Sequence, residues 1–411
     1  MIGSEIDVDL KIFDAVIFHY TLVISSENHI SEKFARQISQ FPGPKILFLQ
    51  DEYRWVDRTS RAAKKLGVTV IYTVVNENII RKIYRDDYFD NVRFEQTLTG
   101  FVPEHFIQLP VPDYRDRRID IGYRARKLPA WCGSFARQKW QIGEGILQAA
   151  DKYNLKCDIA MSEVSRIYGD DWIKFLSNCK ATLGTESGAS FIDYTGQVFQ
   201  DIEAYEATHP DASFEEIRDK FLEGRDGDIV INAISPRVFE AAALRTLMIM
   251  YPGTYSGVVE PGHHYVELKS DHSNMDEVVA ILRDPVRAKK IIDNAYNEIA
   301  CSPRWTHKRF VEECDQLLDE ELNKTGFRTG RLKDAKSIAV ILQDLKKISR
   351  VLEEREKRKM QFVLFLQNLR IGTYNFVKNK FPSFLSKPMI SLGHTTMRMA
   401  KPFFKKVLLR G

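Results

Sequence analysis

Short apolar runs alternate with amphipathic stretches along the first third of the chain. Residues 14–20 (DAVIFHY), 45–50 (KILFLQ) and 68–75 (VTVIYTVV) are β-branched or aromatic runs of strand length. Residues 31–40 and 54–66 between them carry apolar positions at helical spacing. Strand–helix alternation of this kind predicts a parallel sheet covered by helices. The rhythm resumes after Pro110, Pro112 and the charged DYRDRR hinge, with a strand at 118–126, a helix at 138–152 and a strand opening residues 179–190. Further helices are predicted at 214–222, 274–283, 285–299 and from Trp305 onward.

Residues 228–265 hold the clearest βαβ unit. Ser235 is a residue type that caps first-turn amides, and Pro236 suits the first helical position. Helix formers follow to Leu244. The run Leu247–Met250 then reads as a buried strand that stops at the turn pair Pro252-Gly253. A helix N-terminus beside Arg237 favours a diphosphate, since the helix dipole and a guanidinium fork both attract negative charge. Glu240, one turn on, is placed to accept hydrogen bonds from a vicinal diol such as a ribose. The plainer alternative is a helix packed on a sheet, with both residues solvated.

Ligands of such sheets sit beyond the carboxyl ends of strands. In the first domain that position belongs to His19 and to Gln50–Tyr53, with a loop-bonded histidine and a charged loop start as the plainer readings. In the second, Arg124 and Arg126 end a strand and Lys139 lies on the next helix. Residues 184–190 (GTESGAS) put small residues and Glu186 at another strand end, where backbone amides, Gly188 included, can approach a sugar or phosphate. Tyr255, Ser256 and Gly257 form a turn expected to close over a ligand. Asp226-Gly227-Asp228 and Asp7-Val8-Asp9 are DxD triplets able in principle to hold a divalent ion. One lies in a polar turn and one at the terminus, so no metal is expected. The adjacent His263 and His264 are expected to point in different directions.

SPRVFEAAALRTLMIM followed by PGTYSGVVEPGHHYVEL resembles the donor-binding core of GT-B glycosyltransferases, particularly bacterial ones that build surface polysaccharides. The resemblance covers residues 119–325 well and the first domain loosely. It implies an α/β fold of two Rossmann-like domains, at 1–118 (acceptor side, with only four or five strands) and 119–325 (nucleotide-sugar side). Glu240 would hold the donor's ribose, Arg237 its phosphates, and Arg124 and Lys139 the diphosphate. The chain departs from the family by Asn232 where a glutamate commonly stands and by Arg245 where glycine often does. Glu186, displaced by an insertion over 191–230, is expected to take the place Asn232 leaves. Glu186 and His19 are the candidate catalytic side chains; Ser235, Gly188, Tyr255, Ser256 and Gly257 complete the donor set. The implied activity is metal-independent, retaining transfer from a nucleotide-sugar to a surface glycan or lipid-linked acceptor, with no cofactor. A catalytically inactive nucleotide- or glycan-binding subunit is the alternative.

Charge adds a third region. Residues 328–411 carry 20 Lys+Arg against five acidic residues, while the rest of the chain is acidic on balance. Within 326–411, apolar residues at 338, 341, 345, 348 and 352 predict an amphipathic helix or short coiled seam. After Glu356, twelve Lys/Arg interleave with aromatic runs and no acid, a composition suited to an anionic membrane surface through 357–411. A helical cap on the body is the plainer alternative; nucleic acid is not expected, because no recognition fold accompanies the charge. Five widely spaced cysteines without a CxxC pair and no cationic leader point to a cytoplasmic protein, peripheral on the inner face of the membrane.

Overall fold

The structure is a computed structural model that describes residues 9–26 and 29–328, with the single positions Gln343 and Glu354 beyond them. The amphipathic and basic segments expected over 326–411 lie almost wholly outside the described residues. By contacts the chain divides into two units, one of Asp14–Ser25 with Ala35–Arg328 and one taking the remainder. Described residues of the smaller unit include the short turn at Leu10–Ile12, where Asp9 accepts from the Lys11 amide, and the first residues of the helix at Glu32–Ser39. The larger unit contains two parallel α/β sheets.

The first sheet has four strands in the order β1 (Val16–Phe18), β2 (Lys45–Phe48), β3 (Val70–Thr73) and β4 (Arg93–Gln96). Helices α1 (Glu32–Ser39), α2 (Val56–Leu66) and α3 (Glu77–Ile83) connect them. Successive strands pair in parallel, with Ile17 beside Ile46, Leu47 beside Ile71 and Ile71 beside Phe94. The central strand β3 is buried along its whole length, as its unbroken apolar run requires. Helix α2 buries Val56, Ala63 and Leu66 and stops at Gly67, whose positive φ closes the last turn. A short helix, α4 (Glu104–Ile107), leads to the second lobe.

The second lobe opens with β5 (Ile119–Arg124), α5 (Ser134–Ala150), β6 (Cys157–Ala160), α6 (Gly169–Ser177) and β7 (Cys179–Gly184). An insertion follows, framed by the antiparallel pair β8 (Ser187–Ala189) and β9 (Ile231–Ala233), with α7 (Gln197–Thr208) and α8 (Phe214–Ile217) inside it. The lobe resumes with α9 (Pro236–Ala243), β10 (Leu247–Met250), β11 (Val266–Glu267), α10 (Met275–Arg283) and α11 (Pro285–Ala295). Its strand order is β11-β10-β7-β5-β6, a doubly wound sheet whose direction of progression reverses between β5 and β7.

Both faces of this sheet are covered. On one, Ile142 and Ile146 of α5 pack with α10 and α11 against Ile121, Leu183, Leu247 and Ile249. On the other, Phe239 and Ala241 to Ala243 of α9 pack with Leu176 of α6 against Met248 and Met250. The period-two split of Leu247/Ile249 from Met248/Met250 is why this strand is apolar at every position. Arg117, buried just ahead of β5, donates to the carbonyls of Cys179 and Leu244 and to Thr246 Oγ1 at 2.9–3.2 Å, tying β7 to the end of α9.

Helix α12 (His307–Thr325) returns to the first lobe, as the resemblance implies. Phe310 lies edge-on to Phe48 and Tyr72, and Leu317 is buried with Ile46 and Val70. Arg93 at the head of β4 pairs with Glu320 at 2.5 Å. No helix among the described residues is long and apolar enough to cross a membrane.

Candidate functional site

The crevice where the second sheet reverses is bordered by the loop after β5, the start of α5, the loop after β7 and the start of α9. Lys139, on α5, lies partly buried with Nζ 3.4 Å from Ser187 Oγ. Burial first, then Arg237 and Arg126, push its pKa down to about 8; Asp51, from the loop after β2, opposes them.

Arg237 is the second helical residue of α9. Its Nη1 donates to the Arg124 carbonyl, and its guanidinium lies 5.0 Å over the Trp172 ring. Trp172, from α6, also donates its indole N–H to Glu240 Oε2 at 2.9 Å. One indole therefore orients both residues assigned to the nucleotide. Pro236 occupies the first turn of α9 as expected, but Ser235 makes no side-chain cap bond. The dipole end of α9 is left without a side-chain acceptor from that residue.

Glu186 and Asn232, 46 positions apart, are brought together. Asn232 Nδ2 donates to both Glu186 oxygens at 3.0 Å. Glu186 Oε1 also accepts from Thr254 N (3.1 Å), Thr254 Oγ1 (2.9 Å) and Tyr255 N (2.7 Å), while Oε2 has Asn232 alone among these donors. The residue is 8% exposed. Gly253 makes the approach possible, because a Cβ there would stand 2.8 Å from the carboxyl carbon. Pro252-Gly253 is thus more than a turn signal, a role no local pattern discloses.

Several expectations need correction. The Arg124 side chain turns from the crevice to Asp158, 2.7 Å away, and stacks on Phe175, so Arg124 offers only its carbonyl; the cations that act on Lys139 are Arg237 and Arg126. Gly188 serves the insertion's strand pair, with φ 151° and no room for a Cβ against the Ile231 carbonyl. Tyr255 is fully buried and donates to the Tyr251 carbonyl at 2.6 Å, so it is core and not a lid. Tyr255, Ser256 and Gly257 all have positive φ, a turn held by Glu186 and by the Ile234 amide, which donates to Ser256 Oγ at 3.3 Å. His19 is exposed and bonded to Thr21 Oγ1 at 2.9 Å, the loop-bonded reading. Glu52, from the same strand-end set, is buried and accepts from Thr73, Tyr84 and the Val74 amide; burial raises its pKa and those bonds lower it.

Asp226 of the DxD triplet accepts from the Ser134 amide, with both oxygens at 3.1 Å, and from Ser190 Oγ at 2.6 Å. Ser190 Oγ accepts in turn from the Phe135 amide at 3.0 Å. The N-terminus of α5 is therefore capped by the chain's own insertion.

His263 and His264 do converge, against expectation, since Nε2 of each lies 2.9–3.1 Å from Glu298. This is the one metal-like grouping among the described residues. His264 Nδ1 accepts from the Glu260 amide at 3.0 Å, which places its proton on Nε2 and removes the lone pair a metal would need. The three form a hydrogen-bonded latch. A groove of about 880 Å³ between α5 and residues 270–275 contains none of the side chains expected to bind the donor or act in catalysis.

No protein-family model and no curated protein matches the chain. Among solved structures it is similar to the GtfA/B complex, at 11% identity and TM-score 0.41 over 72% of this chain and 56% of that one. Anabaena HepE in complex with UDP aligns at 10% identity and TM-score 0.44, over 76% of this chain and 80% of that one. An alpha-glucosyltransferase in complex with UDP-glucose and DNA containing an abasic site aligns at 9% and 0.43, over 75% and 81%. The chain spans about half the length of the first of these. Likenesses this loose fix neither an activity nor the residues that perform it.

Proposed function

We propose that the chain is a glycosyltransferase of GT-B architecture that takes its sugar from a nucleotide donor. The carrying observation is the cation cluster of Lys139, Arg126 and Arg237 at the reversal point of a doubly wound sheet. Lys139 and Arg237 are half-buried and Arg126 is exposed; like charges repel, and a diphosphate placed among them offsets that repulsion. Helix α9 adds its dipole from the same side. Glu240 keeps Oε1 for a ribose hydroxyl while the indole holds Oε2. As the sugar–phosphate bond breaks, charge grows on the leaving diphosphate, where these cations stabilise it without a metal. Glu186 Oε2 is the acceptor offered to the transferred sugar, consistent with a retaining reaction.

The acceptor is read as a surface glycan or lipid-linked sugar, with the basic run 357–411 seating the enzyme on anionic lipid at the inner face of the cell membrane. A panel of UDP-sugars, assayed for release of UDP with and without EDTA, tests the central claim. Turnover that survives EDTA and falls at least ~100-fold in Glu240→Ala supports it. Donor binding with no turnover at all favours a non-catalytic binding subunit, and loss of turnover in EDTA returns the metal to the mechanism.

A further inference from the structure

Glu186 is reached by a line of side-chain amides that begins on the other lobe. Gln96, the last residue of β4, donates from Nε2 to Asn76 Oδ1 at 2.9 Å. Asn76 Nδ2 donates to Asn232 Oδ1 at 2.9 Å, and Asn232 Nδ2 to Glu186 at 3.0 Å. An ionised carboxylate can only accept, so Asn232 must present its NH₂ to Glu186 and its oxygen backward. Asn76 must then donate, and Gln96 behind it must donate as well. The direction of all three amides follows from the acid and does not depend on how each amide was oriented. Aligned bonds of this kind polarise one another, and here every dipole points its positive end at Glu186.

Asn76 has another use that it forgoes. It is the N-cap residue of α3, a position where asparagine normally accepts from a first-turn amide, yet its side chain makes no cap bond. That amide instead spans the lobes.

We propose that Asn76 is a positioning residue for Glu186, supplied by the first lobe and braced by Gln96, so that the sugar-facing acid is fully oriented only when the lobes are together. The proposal rests on the glycosyltransferase reading for the words "sugar-facing"; the amide line itself does not. In Asn76→Asp the side chain loses its donor, so the Asn232 amide stands between two carboxylates and cannot donate to both. Asn76→Ala only removes the brace.

The full chain is used for both arms of the test. In the first, the Asn232 side-chain amide protons are followed by NMR, assigned through their loss in Asn232→Asp. Asn76→Asp and Gln96→Ala should both move them, the former more; unchanged resonances overturn the proposal. In the second, affinities for UDP and for the best UDP-sugar of the panel are compared by calorimetry. UDP affinity should stay within twofold while UDP-sugar affinity and turnover fall about tenfold in Asn76→Ala and further in Asn76→Asp. Equal losses for UDP and UDP-sugar would mean a structural role only and also overturn it. A wild type that turns over no donor defeats the enzyme reading, and the NMR arm still decides the amide line.

Discussion

At the scale of single residues, Lys139 is the group whose titration matters most. Burial and two neighbouring cations bring it from 10.5 to about 8, so the ligand-free protein begins to lose this charge just above neutrality. The unfolded chain would hold the proton to about 10.5. The penalty on folding is therefore fully present below about pH 8 and disappears as pH rises toward 10.5, and the free protein gains stability across that window. Binding of a polyphosphate runs the other way, because the anion favours protonated lysine. UDP or pyrophosphate affinity, measured by calorimetry, is expected to fall as pH rises through 8, by up to about tenfold per unit. Lys139→Met should flatten that slope, and a slope unchanged in the variant would remove Lys139 from the phosphate site.

Residue-level legibility in the sequence was uneven. Glu186 could be picked out because it follows a strand, and small residues around it announce a close approach. Arg124 and Arg126 are equivalent in pattern, and only the pull of Asp158 across the β5–β6 pair separates the one that leaves the crevice from the one that stays. Asp226 capping Ser134, 92 positions away, has no local signature at all.

Among the elements, α9 was readable from Pro236 and its apolar spacing, whereas its far end was not. Arg245 follows the helix with φ 50°, a left-handed conformation that favours glycine. A left-handed non-glycine residue costs roughly 1–2 kcal/mol. The guanidinium recovers part of it by lying 3.6 Å over the Tyr296 ring, a contact of about 0.5–1 kcal/mol. Arg245→Ala keeps the strain and loses the contact, while Arg245→Gly loses both. Thermal denaturation should therefore rank the glycine variant above the alanine variant by about 1 kcal/mol; the reverse order would show that no backbone strain resides there. Helix α7 and strand β8 escaped the sequence reading for a related reason, and β9, read as the first strand of a βαβ unit, pairs antiparallel with β8 and stands outside the sheet that holds β10. The apolar residues of α7 and β8 pack within the insertion and onto Trp131, so they lack the sheet-facing spacing that marks the other elements.

For the whole molecule, the two-sheet plan was legible because alternation of apolar runs and amphipathic helices is a property of long stretches, insensitive to errors at their ends. The basic tail was equally legible as composition, though its residues lie outside those described. Its expected role is checked by sedimentation with liposomes. Full-length protein should co-sediment with vesicles containing phosphatidylserine in low salt and be released by salt. Removing residues 357–411 should abolish the association, and equal sedimentation of both proteins would rule out a membrane role for that run.

The insertion after β7 carries a mechanical consequence. Its Asp193 amide donates to the Tyr53 carbonyl at 2.8 Å, the Asp57 amide donates to the Tyr194 carbonyl at 2.9 Å, and Arg85 donates to the Tyr194 hydroxyl at 2.6 Å. A second fastening, from the Val102 amide to the Trp305 carbonyl at 2.8 Å, lies beyond β4. Strands β2 and β4, which lead to these two seams, are separated by β3 and hence by about 10 Å. Between them, beyond β3, the Asn76–Asn232 bond adds a third fastening. Parting the lobes along this line therefore means breaking hydrogen bonds beyond three successive strands of the first sheet.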